Sequence, residues 1–343
     1  MTPEELLFMT RAFELGERGR LYAAPNPHVG CVIAARGEVW GEGWHHRAGE
    51  RHAEVHALAR VRADRKERLA EATAYVTLEP CAHVGRTPPC ADALLDAGIG
   101  RVVAAVRDPS PWVAGAGFTR LDAGGVRTQW AEGQTAELAH LFNRRFFAHE
   151  RPWVVLKWAE TADGFLGPER VETQHFITSS WAQRLTHRWR AEEQGILVGY
   201  RTWMTDEPRL DVRQAPGKSP VRIVLAPRHR RSAAADVWWV TAPELVEGPR
   251  DLAWRVEDGL EALLRAIRAE AGVHSLLVEG GGATLQSFVD AGCWDECKWW
   301  VADAALGAPG IPAPKRPQGP AVWREQGRGP AETWHRFIRP LPH

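Results

Sequence analysis

A chain of 343 residues is longer than one ordinary domain, and its 44% hydrophobic and 25% charged residues are those of a globular protein able to bury a sizeable core. Lys+Arg and Asp+Glu number 43 each, and the resulting formal charge of zero counts against a nucleic-acid binder that relies on a broad basic surface. No stretch approaches a membrane span, residues 1–7 lack the basic and apolar regions of a signal peptide, and five cysteines without disulfide-framework spacing suit a reducing cytoplasm.

Thr2-Pro3-Glu4-Glu5 reads as the N-cap, first-position proline and acidic first turn of a helix, with Leu6, Met9 and Phe13 at helical spacing. Ala24-Pro25-Asn26-Pro27 breaks the chain before a strand over 29–35, and Arg36-Gly37 turns it into Glu38-Val39-Trp40. The spacing predicts a helix over 54–68 with Val55, Leu58 and Val61 inward, then a strand over 74–78. A short helix over 90–97, closed by Gly98, and a strand over 101–106 follow. Strands alternating with helices imply an α/β sandwich.

A helix over 135–150 runs into Arg151-Pro152, which sets the expected boundary between domains 1–150 and 151–343. The second half restarts with a strand over 153–158, a helix over 180–192, and strands over 196–198 and 221–225. A helix over 259–269 leads to a strand over 275–278, Glu279-Gly280-Gly281-Gly282 and a helix over 284–291. A glycine turn between strand and helix offers backbone N–H groups to a phosphate, although the glycine spacing is not the dinucleotide fingerprint. Residues 308–320 read as a Pro/Gly-rich surface loop. Thirteen of the seventeen tryptophans lie after residue 150, and the sequence gives that excess no function.

The chemistry concentrates at His52-Ala53-Glu54, Pro80-Cys81 and Cys90. One imidazole and two thiolates leave a fourth zinc position for water, and Glu54 is a carboxylate spare to move protons, as hydrolytic deamination needs. All three ligands are expected at or near helix N-termini, which favour thiolate over thiol. A structural zinc site would ordinarily close with a fourth protein ligand; His83 is a candidate but is better read as lining the pocket. Asn26 is open between turn chemistry and an amide that reads a heterocycle edge. His45, His46 and His56 read as pocket rim or solvated helix face. Cys31 reads as a core thiol, and Cys293 and Cys297 as structural. In the second half Arg190, Thr202, Asp206 and Arg213 stay open between charged surface and a binding site.

The eight-residue spacer between Cys81 and Cys90 departs from the P-C-x-x-C deaminases. Together with Pro25-Asn26-Pro27-His28-Val29-Gly30, Thr77-Leu78-Glu79-Pro80-Cys81 and Asp108-Pro109-Ser110-Pro111, it resembles the bifunctional riboflavin-biosynthesis deaminase/reductase family. Lys157, Asp163-Gly164, Gly199, Thr202, Asp206, Arg213 and Glu279-Gly280-Gly281 extend the resemblance over nearly the whole chain. It implies a cytidine-deaminase-like α/β/α sandwich followed by a dihydrofolate-reductase-like α/β domain. The implied activities are zinc-dependent loss of the 2-amino group of a diaminopyrimidinone carrying a phosphoribosylamino group, then NADPH reduction of its ribose to ribitol.

By motif match, His52, Cys81 and Cys90 would hold zinc and Glu54 would carry the proton. Ala159, Phe176, Thr202, Asp206 and the turn Gly281, Gly282, Ala283, Thr284, Leu285, Gln286 and Ser287 would face NADPH. Asn26, His83, Gln174, Arg190, Leu210, Arg213 and Glu279 would hold substrate, the arginines suiting its phosphate and Glu279 its hydroxyls or ring N–H groups. The resemblance also implies a homo-oligomer. Departures are Phe176 for a usual Trp, an extra residue within 173–175, Glu207 for Asp, Ala226-Pro227 for Asp followed by Ser or Thr, and Ser110 for Asn. Competing readings are a nucleoside or tRNA deaminase, a deaminase with a non-reducing nucleotide-binding half, and a zinc-stabilised scaffold without turnover.

Overall fold

The computed structural model describes the chain except residues 85–87, 110–113, 148–149, 169–176, 230–235, 322 and 341–343. Contacts divide it into two units, 1–147 and 148–343.

The first unit opens with α1 (Pro3–Glu17), which starts where local chemistry dictates. Thr2 Oγ1 accepts from the Glu5 N–H at 3.2 Å and the Glu5 carboxylate accepts from the Thr2 N–H at 2.8 Å, a reciprocal capping box. Met9, Ala12 and Leu15 form its buried face, while Leu6 stays 47% exposed. There follow β1 (Gly30–Ala35), β2 (Glu38–Trp44), α2 (Ala53–Ala59), α3 (Ala63–Lys66), β3 (Thr73–Val76), α4 (Cys90–Asp96), β4 (Arg101–Ala104), α5 (Ala116–Ala123), β5 (Arg127–Trp130) and α6 (Gln134–Phe147). The sheet order is β2-β1-β3-β4-β5, with β1 antiparallel to both neighbours and β3, β4 and β5 parallel.

Two glycines show how both faces of this sheet are covered. A Cβ on Gly30 would stand 1.8 Å from the Ala12 carbonyl of α1, and one on Gly43 would stand 2.3 Å from the Ala53 carbonyl of α2. Gly43 pairs with Cys31, so Gly30 and Gly43 face opposite sides of the pleat. Thus α1 packs on one face and α2 on the other. Helices α4 and α5 follow α2, and Phe142 of α6 packs on α1. The result is an α/β/α sandwich.

The expected helix over 54–68 is broken. Helix α2 ends at Ala59, the Arg60 and Val61 N–H groups fold back to Ala57 and Leu58, and the chain restarts as α3. That break buries Val61 at 4% exposure and leaves Arg65 and Arg68 to cover the Trp40 ring at 5.4 and 5.7 Å. Arg36 and Gly37 both take positive φ, 54° and 76°, as the tight hairpin between β1 and β2 requires.

The second unit contains β6 (Trp153–Glu160), β7 (Phe165–Pro168), α7 (Ser180–Glu192), β8 (Gly195–Gly199), α8 (Tyr200–Asp206), β9 (Val221–Leu225), β10 (Val237–Thr241) and β11 (Asp251–Ala253). It continues with α9 (Gly259–Ala271), β12 (Ser275–Val278), α10 (Gly282–Asp290), β13 (Glu296–Ala302), β14 (Gly310–Pro312), β15 (Trp323–Arg328) and β16 (Glu332–Ile338). Nine strands order as β11-β10-β9-β8-β12-β6-β13-β16-β15, parallel from β11 to β13 and antiparallel thereafter. The chain runs outward from β8 to β11 and returns to insert β12 between β8 and β6. The direction of winding therefore reverses at β8/β12, the kind of point where open parallel sheets leave a crevice.

Much of the tryptophan excess is packed on this sheet. Trp158 of β6 stacks on Trp299 of β13 at 5.3 Å, and Trp299 on His335 of β16 at 4.9 Å. Trp300, completely buried, stacks on Trp189 at 5.3 Å and meets Trp181 edge-on. One expectation needs correction here. Residues 308–320 are not wholly loop, because β14 pairs with β7. Cys297 lies on β13, and it and Cys293 are buried free thiols.

Replacing Gly30 by alanine must push α1 off the sheet, because the obstructing atom is backbone. The expected cost is about 1–3 kcal/mol, read as a lower midpoint in guanidinium unfolding of the purified chain.

Candidate active sites

His52 caps the start of α2, Cys90 is the first residue of α4, and Cys81 follows the end of β3. The register of β1, β2 and β3 brings these ends to one edge of the first sheet. His52 Nδ1 lies 3.1 Å from Cys90 Sγ and 3.6 Å from Cys81 Sγ, and the three donor atoms fall within 4.8 Å of one another. Zinc bonds of about 2.0–2.3 Å in a tetrahedron put donors roughly 3.5–3.8 Å apart, so this His/Cys/Cys set fits zinc. Among the described residues no fourth His, Cys, Asp or Glu joins the cluster. Cys81 itself precedes α4, and its sulfur stands near that helix's N-terminus as expected, accepting the Cys90 backbone N–H at 3.3 Å, an N–H that α4 leaves free.

The Cys90 thiol and then the His52 ring hold Cys81 down at about 4. The Cys81 sulfur and burial push Cys90 well up, and the Cys81 partner raises His52. Glu54, 3% exposed on the first turn of α2, is pushed up by burial, and its Oε2 is buried with no hydrogen-bond partner. A raised carboxyl with an unused oxygen beside a metal-ligand cluster is suited to proton transfer.

Asn26 and His45 enter the same site. Asn26 Nδ2 lies 3.2 Å from His45 Nε2, and His45 Nδ1 lies 3.2 Å from the Arg51 carbonyl. A carbonyl only accepts, so Nδ1 carries the proton and Nε2 accepts from the amide. His45 is 2% exposed, burial lowers its pKa, and its ring meets that of His52 at 5.2 Å. It is therefore a site residue rather than rim or solvated surface. Nothing local marked it, because its partners are 19 and 6 residues away. His83 is exposed two residues past Cys81 and outside the ligand cluster.

In the second unit, Arg190 of α7 grips Glu279 at the end of β12 with two bonds, Nε to Oε1 at 2.9 Å and Nη2 to Oε2 at 2.8 Å. Its Nη1 reaches the Asp211 carbonyl at 3.3 Å, and the Asp211 carboxylate pairs with Arg213. Leu210, 2% exposed with φ of 51°, turns this segment inward. Arg190, Leu210, Arg213 and Glu279 are thus brought together. Burial pushes Glu279 upward, but Arg190 and Lys157 hold it down at about 2. Lys157, whose pKa burial lowers, is a member of this group that reading the strand by its apolar pattern passed over. Its signals were a lysine inside Trp153-Val154-Val155-Leu156 and Trp158, and its place among the residues that carry the family resemblance.

The glycine turn sits at the β8/β12 reversal. The Gly281 N–H donates to Thr202 Oγ1 at 2.9 Å, and Cβ atoms on Gly199 and Gly280 would collide with Thr284 Oγ1 and the Gly199 nitrogen. Thr202, Gly281 and Thr284 therefore gather around Gly199 and Gly280, next to backbone N–H groups at the start of α10, while Gly282 is buried against the Pro312 carbonyl. The rest of the expected set disperses. Leu285 points into the core, Ser287 Oγ donates to the Thr284 carbonyl, and Gln286 bonds Asp290 and the Lys315 N–H. Ala159 packs beside the Trp300 cluster, and Asp206 is exposed at the end of α8. Phe176 and Gln174 lie outside the described residues.

Residues 3–106 match the cytidine and deoxycytidylate deaminase zinc-binding region, and residues 152–324 match the RibD C-terminal domain. The riboflavin biosynthesis protein RibD of Escherichia coli K12 is 37% identical over 331 residues, covering 88% of each chain. That of Aquifex aeolicus is 36% identical over 88% of this chain and 87% of its own. The chain belongs to the RibD family. A solved RibD structure from Acinetobacter baumannii superposes with a TM-score of 0.84 at 31% identity, covering 98% of this chain and 99% of that one. The Thermotoga maritima deaminase/reductase gives 0.82 at 28%, with the same coverage. As a RibD-family enzyme, the chain joins a zinc deaminase domain to an NADPH-dependent reductase domain.

Two outcomes follow. Zinc must displace protons from Cys90 and His52, so its affinity falls as pH is lowered, by up to about tenfold per pH unit for each proton displaced; chelator competition across the acid range measures this, and a flat profile contradicts it. Arg190→Met strands a buried carboxylate and costs about 3–5 kcal/mol, less whatever Lys157 returns. Glu279 titrates lower folded than its ordinary 4.5. The pair's contribution is therefore full above that value and is lost as pH falls toward about 2, so the variant's deficit in denaturant midpoint narrows in acid.

Proposed function

We propose that the first unit hydrolyses the 2-amino group of 2,5-diamino-6-(5-phosphoribosylamino)pyrimidin-4(3H)-one and that the second reduces the ribosyl group of the product to ribityl. The observation that carries the first step is the His52/Cys81/Cys90 cluster beside a buried Glu54 carboxyl with an unpartnered oxygen. Zinc, when bound, supplies Lewis acidity toward a water. Glu54 takes a proton from that water and returns it to the departing amine, a shuttle that its raised pKa assists. Asn26, held by His45, presents its amide oxygen to the ring edge, and His83 stands on the exposed side of Cys81.

For the second step, NADPH supplies the hydride and the protein orients it. Thr202 and the start of α10 lend backbone and hydroxyl donors to the cofactor's phosphates, while Arg190 and Arg213 take the substrate's phosphate and Glu279 its hydroxyls or ring N–H groups, with Leu210 beside them. Arg190 is already bound to Glu279 at two points, so the two act on substrate as one unit.

Among the described residues no helix is long and apolar enough to cross a membrane. The cysteines are free, in keeping with action in the cytoplasm on a small phosphorylated pyrimidine rather than on nucleic acid, and family resemblance brings with it a homo-oligomer.

A two-stage assay tests the reading. The zinc-loaded protein should release ammonia from the diaminopyrimidine phosphate and then oxidise NADPH. Glu54→Gln should lower ammonia release by a factor of about 10²–10⁴, keep its zinc, and still oxidise NADPH when given the deaminated compound. Loss of zinc together with activity in that variant would point to a structural site.

A further inference from the structure

Glu79 is a carboxylate to which the chemistry above assigns no part. It is 3% exposed and lies two residues before Cys81. Its Oε2 accepts the N–H groups of Asp108 at 3.2 Å and Gly115 at 3.0 Å, and its Oε1 those of Gly117 at 3.0 Å and Phe118 at 3.4 Å. Its own N–H donates to the Val106 carbonyl at 2.9 Å. Asp108 and Gly115 both belong to the connection from β4 to α5, so Oε2 ties that connection to itself. Gly117 and Phe118 open α5, where an α-helix has no internal partners for its N–H groups.

The next residue is seated as firmly. The Pro80 carbonyl occupies the place where a Gly117 side chain would begin, 1.9 Å from that Cβ position. Cys81 follows directly, its carbonyl accepting from Ala91 and its sulfur from the Cys90 N–H. Ala82 then lines an open cleft of about 930 Å³ together with Arg107, Ala114, Gly115 and Phe118. One buried side chain therefore joins the base of a zinc ligand to Gly115 and Phe118, which line the cleft beside it.

We propose that Glu79 is a positioning residue for the deamination site: by clasping the backbone at Asp108, Gly115, Gly117 and Phe118 to the base of Cys81, it sets where that sulfur stands relative to His52 and Cys90. This rests on the zinc-deaminase reading of the first unit. Glutamine at this position has the same shape but one acceptor oxygen. Each carboxylate oxygen of Glu79 serves two donors, so either orientation of the amide turns an NH₂ group toward two backbone N–H groups and releases that half of the clasp.

The test uses the full chain loaded with Co(II) in place of zinc, whose ligand-field and thiolate charge-transfer bands report the geometry of both sulfurs. Glu79→Gln should shift and weaken those bands, speed metal loss to a chelator about tenfold or more, and lower the kcat of ammonia release. Val103→Ala, buried in the adjoining strand β4, supplies a control that is destabilised without touching the clasp. If Glu79→Gln matches that control in spectrum and metal-loss rate, the proposal is overturned, whatever its unfolding midpoint. Glu79→Asp keeps the carboxylate with a shorter reach and should fall between wild type and glutamine; it carries the same readouts if the glutamine variant does not fold. The spectrum and chelator rate do not involve substrate, so they decide the matter even if the proposed pyrimidine is not turned over.

Discussion

Two parallel strands cannot be joined by a tight turn; the chain must recross the length of the sheet before the next strand can begin. In both units that requirement gathers connections from several strands at one edge. In the first, the ends of β3 and β4 lead to Cys81 and to the segment that Glu79 clasps, while α4 starts at the same edge with Cys90. In the second, β8 and β12 end side by side, one leading to Thr202 and the other to Glu279 and Gly281. The two chemistries share no residues, yet each stands where crossover connections begin, on loops held by a rigid sheet.

What holds those loops is largely buried carboxylate. Glu79 gathers four backbone N–H groups. Asp295 accepts the Val154 N–H at 2.8 Å and binds Arg151 at 2.6 and 2.8 Å, fixing the first strand of the second unit. Glu332 takes both the N–H and the hydroxyl of Ser179, which in turn caps α7, the helix that delivers Arg190. Burying a carboxylate is costly unless its oxygens are served, and here the service comes from the segments that must be placed. Glu54 breaks the pattern with an oxygen left unserved, and it is the carboxylate to which proton transfer falls.

The zinc ligands were legible because their chemistry is short-range: a His-x-Glu, a Pro-Cys and a second Cys carry residue types that metal binding demands. Helix α7 was legible end to end, since Ser179 and the periodic apolar face act locally. Other features depend on partners far along the chain. Helix 54–68 had an unbroken apolar period, but tertiary packing of Val61 and Trp40 overrode it. Strand β15, Trp-Arg-Glu-Gln-Gly-Arg, is exposed almost throughout and so carries no alternation to read. His45 meets Asn26 19 positions away, Arg190 grips Glu279 across 89, and Lys157 acts on that same Glu279 from still farther along the chain, separations that no spacing rule reaches.

The tryptophan packing along β6, β13 and β16 has an optical consequence. The thirteen indoles after residue 150 include the stacked pairs Trp158–Trp299 and Trp189–Trp300, while the first unit has only Trp40, Trp44, Trp112 and Trp130. Ultraviolet-excited emission from this protein is therefore mostly the light of the reductase sheet. Its spectrum and lifetime follow the opening of that sheet almost independently of the deaminase unit, whose unfolding is better seen through the thiolate absorption of its metal. One chain thus carries two separate colours of signal, one for each chemistry.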